Sequence, residues 1–222
     1  MKRIAVVIPA YNAGRTITEL IQRVRKFVDR KNVVVIDDGS QDETSQLALL
    51  AGATLLMHDG NKGKGEALKT GFSYALQRDY SAVITMDADL QHSPDSIPDF
   101  IRQSRNFPGI LIGTRERNLK IMPFSRWLTN HLTSVIVSIL SGVTVRDSQS
   151  GYRLIPIQVL REVQLRSSKY DLESEILIKA ARKGFGIGEV PISTIYRNGK
   201  SFVNPLVDTG RFIRLMWNSL WW

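Results

Sequence analysis

The sequence predicts an α/β fold, a mostly parallel, twisted sheet flanked by helices in a single domain. Short apolar, β-branched runs recur along the first half of the chain, amphipathic stretches of helical period separate them, and the runs end on turn residues and carboxylates. Fully apolar strands alternating with helices mark a parallel sheet covered on both faces. A chain of 222 residues with 43% hydrophobic content can bury one substantial core. No repeat, low-complexity segment or linker divides it.

The elements follow in order. "RIAVVIPAY" reads as a strand, "RTITELIQRVRKFV" as an amphipathic helix, and "NVVVIDDGS" as a second buried strand closing on acids. "DETSQLALLAGA" and "KGEALKTGFSYALQR" read as helices on either side of the strand "TLLMH". "AVITMDAD" is the fourth strand of this βαβαβαβ series. Residues 1–205 are expected to form the domain and residues 206–222 an appended amphipathic helix.

Composition narrows the setting. There is no cysteine, which excludes disulfides and thiolate metal sites and fits a reducing compartment. "MKRIAVVIPAYN" reaches proline before a signal-like core develops, and "LTSVIVSILSGVTV" is too short and hydroxyl-rich to span a bilayer. The expectation is a cytoplasmic protein, soluble or peripheral on the cytoplasmic face of a membrane. Residues 1–110 carry 14 Lys and Arg against 13 Asp and Glu, whereas residues 111–222 carry 16 against 8. The surplus positive charge therefore lies in the second half, where an anionic partner is expected. Nucleic acid is not that partner, because the arginines are not interleaved with an aromatic stacking platform.

In an open parallel sheet, ligands bind beyond the carboxyl ends of the strands. The first strand ends in Pro9, Ala10, Tyr11 and Asn12, the second in Asp37 and Asp38, and the fourth in Asp87 and Asp89. A dinucleotide site fails because "IPAYNAGRT" lacks the glycine fingerprint, and "GNKGKGEAL" is not a P-loop. Lys62 and Lys64 nevertheless stand near a helix N-terminus, where they could face phosphates. If residues 87–91 are extended, Asp87, Asp89 and Gln91 share one side and form a hard-oxygen face suited to Mg²⁺ or Mn²⁺. In the second half, Arg115, Arg117, Lys120 and Arg126 make a basic cluster suited to phosphate. "DSQSGYRL" suggests an Asp147–Arg153 pair, and "ESE" a helix face dividing Glu173 and Glu175 between solvent and a buried partner.

Together "VVIPAYNAGRTI", "VVVIDDGSQDET", "GNKGKGEALKTGF", "VITMDADLQHSPDSI", "GTRER", "DSQSGYRL", "YDLESEILIKAARKGFGIGEVPI" and "IYRNGKSFVNP" resemble the family-2 inverting glycosyltransferases, dolichyl-phosphate mannose synthase-like branch, over residues 4–206. The resemblance implies a GT-A fold and a nucleoside-diphosphate sugar donor. It places Pro9, Tyr11, Asp37, Asp38, Lys64 and Asp87 at the nucleotide sugar and Asp87, Asp89 and Gln91 at the metal. Arg115, Arg126, Arg197 and Lys200 fall at the acceptor phosphate, with Asp87, Asp89 and Arg115 as the catalytic set. One position departs: the family has Tyr-Asn-Glu where this chain has Tyr11-Asn12-Ala13.

The acceptor follows from proton chemistry. A sugar hydroxyl needs a general base, whereas a phosphate monoester, with its second pKa near about 6, is already anionic. The chain lacks the Glu-Asp dipeptide and Gln-x-x-Arg-Trp pattern of hydroxyl-acceptor relatives. The expected acceptor is a polyprenyl phosphate, dolichyl or undecaprenyl. Transfer to a sugar or protein hydroxyl, with Asp147 or Glu175 as base, and a non-catalytic binding protein are the alternatives. "NPLVDTGRFIRLMWNSLWW" gathers Leu206, Ile213, Met216, Trp217, Leu220 and Trp221 on one helix side. That helix is expected to lie in the membrane interface, with docking on the protein's own core or a partner subunit of a homo-oligomer as the alternative.

Overall fold

The computed structural model describes residues 3–115, 124–169 and 171–193, with Met216 and Ser219; for residues 124–128 it describes the backbone. Among the described residues seven strands form one sheet: β1 (Ile4–Ala10), β2 (Val33–Asp37), β3 (Thr54–Met57), β4 (Ala82–Thr85), β5 (Ile110–Arg115), β6 (Arg153–Pro156) and β7 (Ile187–Ile192). They lie in the order β3-β2-β1-β4-β6-β5-β7. β1 pairs in parallel with β2 and β4, β2 with β3, and β5 with β7, while β6 runs antiparallel to both β4 and β5. The sheet is thus mostly parallel, as the apolar strands predict.

Period-two alternation divides the core between two faces. Ile4, Val6 and Ile8 of β1 pack with Ile17, Leu20, Ile21 and Val24 of α1 (Ile17–Val24), Ala48 of α2 (Thr44–Leu50) and Phe100 of α4 (Ile97–Gln103). Ala5 and Val7 face the other way, toward Ala67, Leu68, Phe72 and Ala75 of α3 (Lys64–Leu76). That face also takes Val137 of α5 (Phe124–Ser141), Val159 and Leu160 of α6 (Ile157–Glu162), and Leu172, Ile176 and Leu177 of α7 (Leu172–Arg182). α3 approaches the sheet at Gly71, where an added Cβ would lie 2.4 Å from Val7 Cγ1. Only glycine permits that approach.

Topology creates the cleft. The chain moves from β1 outward to β2 and β3, then returns through α3 to place β4 on the other side of β1. This reversal is the switch point at which ligands enter such sheets. Pairing of β1 with β4 ends at Val7↔Thr85, and Val7 O accepts from Met86 N at 3.1 Å. Pro9 has no N–H, and it sits two residues on, facing the same side, where β4 has already ended. The missing donor therefore interrupts no ladder.

Candidate active site

The first two strand ends are sewn together by side chains. Asn12, at φ +50°, accepts from Gln41 N at 2.9 Å through Oδ1, and its own N–H donates to Ser40 Oγ at 2.9 Å. Ala13 N donates to Thr44 Oγ1 at 2.7 Å and Gly14 N to Asp42 Oδ2 at 3.0 Å. Asp37 accepts from Ser40 N at 2.9 Å and from the Ser45 hydroxyl. Asp38 accepts from Lys62 N at 2.9 Å, Gly63 N at 2.7 Å and the His58 ring at 2.7 Å. Both acids are buried. Asp38 thereby clamps the glycine-lysine loop that leads into α3, while Tyr11 keeps an exposed ring at the mouth.

The acids after β4 are held differently. β4 stops at Thr85, residues 88–89 form a turn, and Leu90 takes φ +60°. Asp87, Asp89 and Gln91 consequently do not alternate along an extended strand as expected. Asp89 Oδ1 instead caps its own turn, accepting from Gln91 N at 2.9 Å. The Lys64 ammonium, on the first residue of α3, lies 2.5 Å from Asp87 Oδ1 and 3.0 Å from Glu173 Oε1 at the start of α7. Burial opposes charge on Lys64 and Asp87. The Lys64 ammonium nevertheless outweighs burial at Asp87, with His92 and Arg115 adding to it, and holds that carboxyl below the usual aspartate range. Asp87 and Glu173 in turn push Lys64 up despite its burial. Asp89 opens to solvent, yet surrounding protein and the charge of Asp87 raise its carboxyl above the usual range.

Gly151 makes this cluster sterically possible. A Cβ there would lie 2.6 Å from Asp87 Oδ2 and 2.9 Å from Lys64 Nζ, and Gly151 O accepts from Thr85 Oγ1 at 2.7 Å. Beside it, Arg115 meets Asp147 through Nε at 2.6 Å and Nη2 at 2.7 Å, a bidentate pair. Asp147 therefore pairs with Arg115 rather than Arg153. Arg153 is fully buried and donates to the carbonyls of Ser148 at 2.7 Å, Ser150 at 2.8 Å and Glu173. Neither carboxylate of the "ESE" stretch faces solvent: Glu173 meets Lys64, and Glu175 meets Lys179 at 2.5 Å and the N–H groups of Arg166 and Ser167. Despite burial, those partners hold Glu175 below the usual carboxylate range.

His92 completes the site. It is buried, lies 5.8 Å from the Tyr152 ring in a stacked arrangement, and among the described residues neither ring nitrogen has a hydrogen-bond partner. Burial, reinforced by Arg115 and Lys64 against the opposing charge of Asp87, pushes its pKa down to about 4. It is neutral near pH 7 and presents an acceptor lone pair.

A divalent cation fits this donor set. Among the described residues no group of three His, Cys, Asp or Glu side chains forms a closed cage. Two carboxylates flanking one turn, one of them uncompensated and open to solvent, suit a hard ion that keeps positions for phosphate oxygens.

Comparison with known proteins matches the model "Glycosyl transferase family 2" to residues 5–163. The chain belongs to glycosyl transferase family 2. This glycosyltransferase is 34% identical over 219 residues to the UDP-N-acetylglucosamine–dolichyl-phosphate N-acetylglucosaminyltransferase of Methanococcus voltae, covering 88% of this chain and 86% of the relative. It is 30% identical over 206 residues to the undecaprenyl-phosphate mannosyltransferase of Micrococcus luteus, covering 88% and 84%. In structure it resembles glucosyl-3-phosphoglycerate synthase from Mycobacterium tuberculosis in complex with UDP, with a TM-score of 0.79, 20% identity, and coverage of 98% and 80%. The fold is that of the GT-A glycosyltransferases, as the resemblance implies.

Of the residues expected at the site, the glycosyltransferase brings Lys64, Asp87, Asp89 and Arg115 to the β4 side of the cleft. Pro9, Tyr11, Asp37 and Asp38 lie at the ends of β1 and β2. Lys62 contributes its carbonyl to Lys169 Nζ at 2.8 Å. The side chain of Arg126, and Arg197 and Lys200 entirely, lie outside the described residues. Sequence reasoning missed His92 and Gly151 as parts of the site, and it named Glu173 and Arg153 without the partners they meet, Lys64 and the backbone carbonyls. Their signal was present in "DLQHSPD", "SGYR" and "LESE", but nothing in local spacing joins those segments.

Proposed function

We propose that this glycosyltransferase moves a hexose, with inversion, from a nucleoside-diphosphate sugar to a polyprenyl phosphate, assisted by Mg²⁺ or Mn²⁺. The observation that carries the acceptor class is that the carboxylates of the second half of the chain are already engaged. Asp147 is engaged bidentately by Arg115, Glu173 by Lys64, and Glu175 by Lys179 and two backbone donors. Neither expected alternative base, Asp147 or Glu175, is poised to take a proton from a hydroxyl. An anionic phosphate oxygen needs no such base. The relatives named for dolichyl- and undecaprenyl-phosphate transfer support the same reading.

In this mechanism Tyr11 and the β1 and β2 ends receive the nucleoside, with Asp37 and Asp38 holding the surrounding loops. Asp87 and Asp89 would hold the metal, which when bound neutralises charge on the departing diphosphate; with the turn at residues 88–89, Gln91 no longer shares their side as an extended segment would have it. Lys64 holds Asp87 in place and adds positive charge beside the diphosphate. Arg115 orients the acceptor phosphate together with Arg126, Arg197 and Lys200, and in-line placement supplies much of the rate. No helix among the described residues is long and apolar enough to cross a membrane. The acceptor is reached from the cytoplasmic face of the membrane surface; at the C-terminal end Ser219 is buried and its carbonyl accepts from Arg182, which favours docking on the protein's own core there over the expected interfacial helix.

The test is product analysis with UDP- and GDP-hexoses, a polyprenyl phosphate and Mn²⁺. A glycosylated lipid phosphate with inverted anomeric configuration, lost on EDTA addition, is expected. Full transfer in excess chelator overturns the metal assignment; sugar appearing on a hydroxyl acceptor alone overturns the acceptor.

A further inference from the structure

A cavity of about 530 Å³ lies away from the cleft, between the loop after α6 and the last turn of α7. Glu173 marks the cleft end of α7 and Arg182 the cavity end, about 14 Å apart along the helix. Arg166, Lys179, Arg182 and Lys183 line the cavity with Glu162. Lys179 is compensated by Glu175 at 2.5 Å. Arg182 donates to neutral carbonyls, Leu140 O at 3.2 Å and Ser219 O. Among the described residues no carboxylate forms an ion pair with Arg166, Arg182 or Lys183. Cations in the last turn complement the α7 dipole, but Arg166 comes from the preceding loop and lies outside that account. The cavity thus holds surplus positive charge in a volume large enough for a phosphate-bearing group.

The adjoining surface selects the anion. α5 packs beside α7 and exposes Leu132 at 52%, Val135 at 42% and Ile139 at 74%, spaced three and four residues apart on one helix face. The Leu140 carbonyl that anchors Arg182 directly follows Ile139. A soluble phosphate would use the basic cavity and leave that stripe in water. A molecule with an anionic head and an apolar tail uses both, which is the charge and apolar pattern of a membrane-surface contact.

We propose that the α6–α7 cavity binds the headgroup phosphate of an anionic phospholipid while the exposed stripe of α5 rests in the acyl boundary, a lipid contact separate from the acceptor site. For its purpose this rests on the reading that the acceptor is a membrane lipid: it would hold the enzyme on the surface its substrate occupies.

The experiment is sedimentation of the full chain with phosphatidylglycerol–phosphatidylcholine vesicles and with pure phosphatidylcholine vesicles, neither containing polyprenyl phosphate. Partition to the anionic vesicles should exceed partition to the neutral ones. It should fall by about 10-fold or more in Arg166→Glu/Lys183→Glu and also in Leu132→Ser/Ile139→Ser. Transfer to a short-chain, water-soluble polyprenyl phosphate without vesicles should stay unchanged in both variants, and its absence in the wild type would fault the acceptor reading instead. If charge reversal impairs folding, Arg166→Gln/Lys183→Gln makes the same test with a smaller loss. Vesicle binding unchanged in the basic variants overturns the proposal. So does loss confined to the basic variants with full competition by inorganic phosphate, which marks a soluble-anion site, or self-association through α5 without vesicle binding.

Discussion

The acid pair ending β2 and the acid pair following β4 share a composition, stand at strand ends on either side of β1, and are treated oppositely by the fold. Asp37 and Asp38 are buried and consumed by donors from their own and adjoining loops. Asp87 is balanced by one ammonium, and Asp89 is left open to solvent beside a like charge that raises its carboxyl. The first pair builds the walls of the cleft; the second supplies its unspent charge. Carboxylates saturated with hydrogen bonds stabilise structure, whereas an uncompensated one stores affinity for a cation.

Single substitutions should separate the two pairs. Asp89→Asn is expected to lower transfer by about 100-fold or more, because an amide cannot match a carboxylate's charge toward a divalent ion. Its melting temperature should hold or rise as repulsion from Asp87 is relieved. Asp38→Ala should do the reverse in stability, costing on the order of 3 kcal/mol as His58 and the N–H groups of Lys62 and Gly63 lose their acceptor. Urea denaturation beside a transfer assay reads both, and an Asp38→Ala protein of wild-type stability would erase the contrast.

A smaller effect follows from His92. Its folded pKa of about 4 lies below the ordinary 6.5, so the unfolded chain binds the extra proton first as pH falls. Stability from this group is full above pH 6.5 and declines toward pH 4, by about 2 kcal/mol between pH 7 and pH 5. His92→Phe should flatten that part of the pH–stability curve in chemical denaturation. A slope as steep as the wild type's would assign the acid sensitivity to other groups.

The finest distinction concerns Gly151. An alanine there displaces side-chain ends, Asp87 Oδ2 and Lys64 Nζ, rather than backbone. Gly151→Ala should therefore cost roughly 10-fold in transfer while leaving most of the stability. Equal losses in both would place Gly151 in the wall rather than at the charge cluster.

Much of this molecule is determined by its sequence alone. The apolar runs of β1, β2 and β4 and the helical period of α1 and α3 dictate a parallel sheet covered on both faces, because each strand must bury two sides. The position of the acids at strand ends was equally legible, since a buried strand has nowhere else to leave a charge. Sequence could not decide the conformation beyond Thr85, where β4 ends and Leu90 turns to positive φ, so the alternation expected of Asp87, Asp89 and Gln91 gave way to a turn. Nor could it choose partners. Asp147 goes to Arg115 across 32 residues, and Lys64 to Glu173 from another helix, leaving nearby Arg153 to backbone carbonyls. Local periodicity carries which face a side chain presents; which charge meets which depends on how the antiparallel β6 brings Gly151 against the end of β4, and that is a property of the assembled sheet.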